Sequence, residues 1–120
     1  MKQGNYFGTE VDGKWWRRYR GAGFFARGNG ELWIDEEGLH FCKTLTASPL
    51  TISWDEITAV RLAKWHAGRS ALGRPVLKVE FQRDGRDLTA GFYLSRNWDE
   101  MGQLVEDLSR RMIGGGRERP

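Results

Sequence analysis

The 120-residue chain carries 19 basic and 16 acidic side chains, a formal charge of +3, six tryptophans and one cysteine. That length suits one domain with its own core, and a lone cysteine, Cys42, closes no internal disulfide and fits a reducing, cytoplasmic setting. No apolar run approaches the roughly 20 residues of a membrane helix, the opening MKQGNYFGTE lacks a signal-peptide core, and so small a net charge dictates no anionic partner.

Residues 1–13 read as a loose leader, rich in glycine and polar groups and without a sustained period. A strand is expected from Lys14, where Lys14, Arg17, Arg18, Arg20 and Arg27 interleave with Trp15, Trp16, Tyr19, Phe24 and Phe25 and no acid intervenes. Strict alternation puts Trp16, Arg18 and Arg20 on one face and Trp15, Arg17 and Tyr19 on the other. Gly21, Gly23, Gly28 and Gly30 then predict a bend or bulge before Glu31.

From Glu31 to Lys43 the pattern is a hairpin turning through Asp35-Glu36-Glu37-Gly38. A register pairing Ile34 with Leu39 and Leu32 with Phe41 keeps these four on one side and sets Trp33 opposite His40, facing outward. After the break at Ala47-Ser48-Pro49, the residues Leu50, Ile52 and Trp54 alternate. A turn at Asp55-Glu56 leads into Ile57 to Ala63. Lys64 to Pro75 reads as a loop interrupted by Gly68, Gly73 and Pro75.

Asp84-Gly85 suits a two-residue type I′ turn, which pairs Phe81 with Leu88, Val79 with Ala90 and Leu77 with Phe92. The final element is a helix, with Asn97 as N-cap and Glu100 three residues on. Trp98, Met101, Leu104, Val105, Leu108 and Met112 form its apolar stripe, and Gly114-Gly115-Gly116 stops it. The domain is thus expected over 14–113, with 114–120 a frayed tail. About seven antiparallel strands, capped by one C-terminal helix, make the fold mainly β.

This order of strands, the Trp-Asp-Glu-Ile turn at 54–57, the loop, the Asp84-Gly85 hairpin and the terminal helix resemble the pleckstrin-homology (PH) and GRAM superfold in its compact prokaryotic versions. The resemblance implies a partly open barrel with the helix over one end, Trp98 serving as a lid. It also implies an adaptor for lipid headgroups, peptides or proteins, with catalysis rare. The superfold's basic lipid motif lies between its first two strands; the corresponding Arg27-Gly28-Asn29-Gly30 has one basic side chain, so no phosphoinositide site carries over.

No catalytic set is legible. Two histidines, one cysteine and no Gly-x-Ser-x-Gly elbow supply no nucleophile–base pair. His40 and Cys42 share a strand face but lack further ligands in a metal motif, and no cofactor or small-molecule substrate is inferred. The loop basic groups Lys64, Arg69 and Arg74 follow no phosphate-loop pattern.

Outward aromatics beside arginine are interface chemistry. The candidate interface is therefore Trp16, Arg18, Arg20, Trp33, Trp65 and Arg69, serving a non-enzymatic module for protein association, with self-association into a homo-oligomer included. The alternative is weak binding of an anionic membrane headgroup or single-stranded nucleic acid through Lys14, Arg17, Arg18, Arg20 and Arg27.

Overall fold

In the computed structural model, which describes residues 2–21, 24, 27–44 and 49–114, the chain opens with a strand. The elements are β1 (Lys2–Val11), β2 (Lys14–Arg18), β3 (Gly28–Ile34), β4 (Gly38–Lys43), β5 (Leu50–Ser53) and β6 (Ile57–Ala63). They continue as β7 (Trp65–His66), β8 (Arg69–Ser70), β9 (Val76–Arg83), β10 (Arg86–Tyr93) and α1 (Trp98–Gly114). The break expected at 47–48, Phe25 and the tail at 115–120 lie outside the described residues.

One antiparallel sheet runs β5-β4-β3-β1-β10-β9-β6, with β2 also paired to β1; β7 and β8 form a separate ribbon. The sheet curls but does not close, because β5 and β6 are both edges. Near its ends Arg83 bridges from β9. Its guanidinium donates to both Glu56 carboxylate oxygens, at 2.6 and 2.7 Å, and to the Thr51 carbonyl of β5 at 2.7 Å.

Residues 2–11, expected as a leader, are instead a central strand. Tyr6 and Val11 belong to the core, and β1 pairs with β10 on one side and with β3 and β2 on the other. The error has a physical cause. A bulge between Tyr6 and Gly8 shifts the register, so the inward residues fall at Tyr6, Thr9 and Val11 and the two-residue period is lost.

The two hairpins read from the sequence form as expected. Trp33 pairs with His40 and Leu32 with Phe41, and Leu77, Val79 and Phe81 pair with Phe92, Ala90 and Leu88. Asp84 and Gly85 have φ of 55° and 71°, and Asp12 and Gly13 repeat that geometry at 55° and 71° between β1 and β2. His40 lies on the outer face with Trp33, as expected, but is covered there. It is 5 % exposed because its ring stacks on Trp33, with centroids 5.1 Å apart and planes 15° apart.

The core joins Tyr6, Phe24, Phe41, Phe81 and Phe92 with the aliphatic residues of β3 to β10. Phe24, from the segment between β2 and β3, stacks on Phe81 at 5.6 Å and meets Tyr6 and Tyr19 edge-on. Helix α1 lies against β6. Asn97 caps it by accepting from Glu100 N at 3.0 Å, and Met101 and Leu108 are fully buried. Trp98 is not the lid. It sits in the first turn, 40 % exposed, with its indole N–H donating to the Gly73 carbonyl at 3.1 Å.

Candidate functional site

Strand β2 departs from simple alternation. Val11 pairs with Lys14 and Glu10 with Arg18, so residues 15–17 have no partner positions on β1 and arch away from it. A bulge of this kind re-aims side chains. Trp15 and Trp16 are both pushed into solvent, 50 % and 62 % exposed, where regular alternation would have buried one of them. Their rings meet edge to face at 5.8 Å.

The segment 64–75, expected as a plain loop, contains the β7–β8 ribbon, with Trp65 opposite Ser70 and His66 opposite Arg69. Its turn residues Ala67 and Gly68 both have positive φ, 54° and 79°. Positive φ strains an alanine, and hydrogen bonds hold it there. Ala67 N–H donates to Glu10 Oε2 at 2.8 Å. Its carbonyl accepts from Arg18 and, at 2.7 Å, from Arg27.

Beneath the turn lies a buried polar set. His66 is fully buried, and Glu10 and Lys78 are nearly so. The His66 ring donates Nε2–H to the Gly8 carbonyl at 2.9 Å, so Nδ1 carries a lone pair with no hydrogen-bond partner, 3.6 Å from Glu10 Oε2. Burial, reinforced by the charges of Lys78, Arg18 and Arg27, lowers the His66 pKa to about 3. Lys78 Nζ lies 3.9 Å from Glu10 Oε1 and over the Trp65 ring. Burial pulls its pKa down against the opposing pull of Glu10.

The predicted interface residues therefore divide. Trp16 and Trp65 are exposed indoles, 62 % and 47 %, and Trp15, whose ring lies against Gly68 of the ribbon turn, joins them. Arg18 spends hydrogen bonds on the Trp15 and Ala67 carbonyls. Arg69 lies over the Phe7 ring at 4.5 Å. Arg20, Lys14 and Arg17 are exposed and make no ion pair among the described residues. Trp33 is not brought into this group, since it is half-buried on His40. Glu10, His66 and Lys78 escaped the sequence reading, although the charged residue inside Gly-Thr-Glu-Val was the visible signal.

Among the described residues the candidate ligands brought together with His40 are Asp35 and Glu37, not Cys42, their ligand atoms lying within 4.8 Å of one another. The trio is better explained as a lock on the β3–β4 turn. Asp35 Oδ1 accepts from His40 Nε2 at 2.8 Å and from the Glu37 and Gly38 amides, and in the neutral ring Nδ1 accepts from the Thr51 hydroxyl at 2.9 Å. The bond from His40, followed by the two amides, draws the Asp35 pKa down.

The profile of the bacterial PH domain-like family matches residues 1–109. The chain belongs to that family. No curated protein matches it. As a PH-like domain it is a binding or scaffold module by family, and no helix among the described residues is long and apolar enough to cross a membrane. On the main path of the sheet β1 is followed by β3, so the connection between its first two strands spans 12–27 and holds β2. It begins with the Asp12-Gly13 turn. The groove beside it, about 400 Å³, is lined by Asp12, Glu80 and Asp87 against Arg61, and Arg61 is paired with Glu80 at 2.7 Å. Its charge is opposite to what a phosphate needs.

Proposed function

We propose that this PH-like domain is a non-enzymatic docking module that holds a protein partner through Trp15, Trp16 and Trp65. The observation that carries the reading is the β2 bulge, which exposes two adjacent indoles, Trp15 lying against Gly68 at the turn of the ribbon that also carries the exposed Trp65. Solvent-exposed tryptophan costs free energy that a partner recovers by covering it, and tryptophan is enriched among interface hot spots. Lys14, Arg17 and Arg20 supply a basic rim.

That rim bears on the partner's identity. A two-fold contact between copies would set like charges against each other, so a different protein with an acidic rim is favoured over self-association. The reading places the module in the cytoplasm. Its test compares wild type with Trp16→Ala and Trp65→Ala in pull-downs from the native cell, alongside the solution mass of each. A partner retained by wild type and lost by both variants, at unchanged thermal midpoint, supports it. Retention by both variants overturns it, and a concentration-dependent dimer abolished by the same substitutions would make the partner a second copy.

A further inference from the structure

The groove at the Asp12-Gly13 turn concentrates acceptors on a chain whose formal charge is +3. At about 400 Å³ it falls within the size range of small-ligand clefts. Thr89 of β10, which alternates with the core residues Leu88 and Ala90 and so points away from the core, sits in register with Glu80 of β9. Asp12 is held beside Asp87 by its own N–H, which donates to the Asp87 carbonyl at 2.7 Å. The carboxylates of Asp12, Glu80 and Asp87 carry more charge there than Arg61 neutralises.

Thr89 is 8 % exposed, yet its hydroxyl makes no hydrogen bond with any described residue. A hydroxyl withdrawn from water costs free energy unless something pairs with it. Its open side is the groove. The Asp12 carboxylate also lacks a partner among the described residues, and Asp87 accepts one side-chain bond, from Gln82 at 2.8 Å. Arg61 shows what this surface receives. Its Nε donates to Glu80 Oε2 at 2.7 Å, so a guanidinium of the chain itself engages one carboxylate and leaves the others open.

We propose that the groove binds an external guanidinium group, carried by an arginine side chain or by a small alkylguanidine. Ionised carboxylates only accept, and a guanidinium presents five N–H donors in a planar fork, so one such group can serve Asp12, Asp87 and Thr89 together. A metal ion fits worse. Among the described residues only Asp35, Glu37 and His40 bring three ligand atoms within 4.8 Å of one another, so the acceptors of the groove are spread too widely for a compact cation. The site goes beyond the docking reading and shares no residue with it.

The test titrates the full chain with a capped Gly-Gly-Arg-Gly-Gly peptide at constant ionic strength, following the backbone amide resonances of Asp12, Gly13, Thr58 and Thr89. Saturable shifts are expected. Asp12→Asn and Asp87→Asn should each weaken binding roughly tenfold by removing a charged acceptor, and Thr89→Val should weaken it less. Asparagine tolerates the positive φ of 55° at position 12 and keeps an acceptor for Gln82 at position 87; thermal midpoints in peptide-free buffer check that both variants fold. Arg61→Gln frees Glu80 and should tighten binding severalfold, a gain that loss of structure does not produce. Glu36→Gln, at an exposed turn position, should leave affinity unchanged. A response that never saturates, equal weakening by Glu36→Gln, or wild-type affinity in both aspartate variants overturns the proposal.

The same titration with methylguanidinium separates the sources. Binding at least as tight as that of the peptide assigns a small alkylguanidine, and tighter peptide binding assigns an arginine on a polypeptide. A capped Gly-Gly-Lys-Gly-Gly peptide tests the chemistry, because equal affinity for it would reduce the site to bare charge and overturn the guanidinium assignment. Trp16→Ala and Trp65→Ala are expected to keep full affinity for the arginine peptide, so this proposal and the docking reading fail on different results.

Discussion

The His66 imidazole occupies the space where a side chain at position 91 would begin. A Cβ on Gly91 would overlap His66 Cδ2 and Cγ, so the ribbon docks only because β10 carries glycine there. Gly91→Ala is expected to lift His66 off Gly8 and cost about 1–3 kcal/mol by overpacking. Trp65 fluorescence should shift as the ribbon loosens, and a variant with native midpoint and native Trp65 emission would contradict this.

The same histidine sets a pH dependence. Its folded pKa is about 3, against an ordinary 6.5, so between those values the unfolded chain binds the proton that the folded chain refuses. Its contribution is therefore fully present above about pH 6.5 and is lost as pH falls, with a slope approaching ~1.4 kcal/mol per unit. Denaturant midpoints between about pH 6.5 and 5 check the sign. In His66→Gln the slope over that window should flatten.

The Arg83 bridge gives a third expectation. Burial alone would raise the Glu56 pKa, but the bonds from Arg83 and from Ser53 N–H outweigh it and the net shift is downward. Arg83→Gln strands a half-buried carboxylate and should cost about 1–3 kcal/mol at neutral pH. The penalty shrinks once the pH falls below about 4.5, the ordinary glutamate value, where Glu56 accepts a proton. A pH-independent penalty would show that packing, rather than the pair, carries the effect.

Helix α1 is expected to be integral. Leu108→Ala removes a fully buried side chain and should destabilise by roughly 2–5 kcal/mol. Trp98→Ala, at a 40 % exposed position, should cost much less. Unfolding curves of the two variants rank them, and the reverse order would restore Trp98 as the lid.

Where one face is apolar and the turn chemistry is strict, the sequence was readable down to register. Leu77 to Phe92 pair across Asp84-Gly85 as the alternation requires, because slipping by one would turn every apolar side chain to water. The bulges defeated that logic twice. Phe7-Gly8 hid a central strand, and the arch at Trp15-Trp16-Arg17 exposed both indoles where alternation would have buried one. The ribbon was illegible for another reason: two-residue strands carry no period, and what fixes them is Glu10 and His66, far apart in the chain. Trp98 failed because helical phase does not reveal how far the first turn overhangs the sheet.

The placement of β1 has a consequence for biosynthesis. Asn5 pairs with Tyr93 and Tyr6 with Phe92, so the strand made first finds one of its neighbours only when nearly the whole sheet has been synthesised. Until then Tyr6 and Val11 have no complete core to enter, and the nascent chain carries an unpaired strand edge that invites association with other chains. The pairing that completes the sheet is also the one that closes its longest loop, which makes the meeting of β1 with β10 the entropically dearest step of folding.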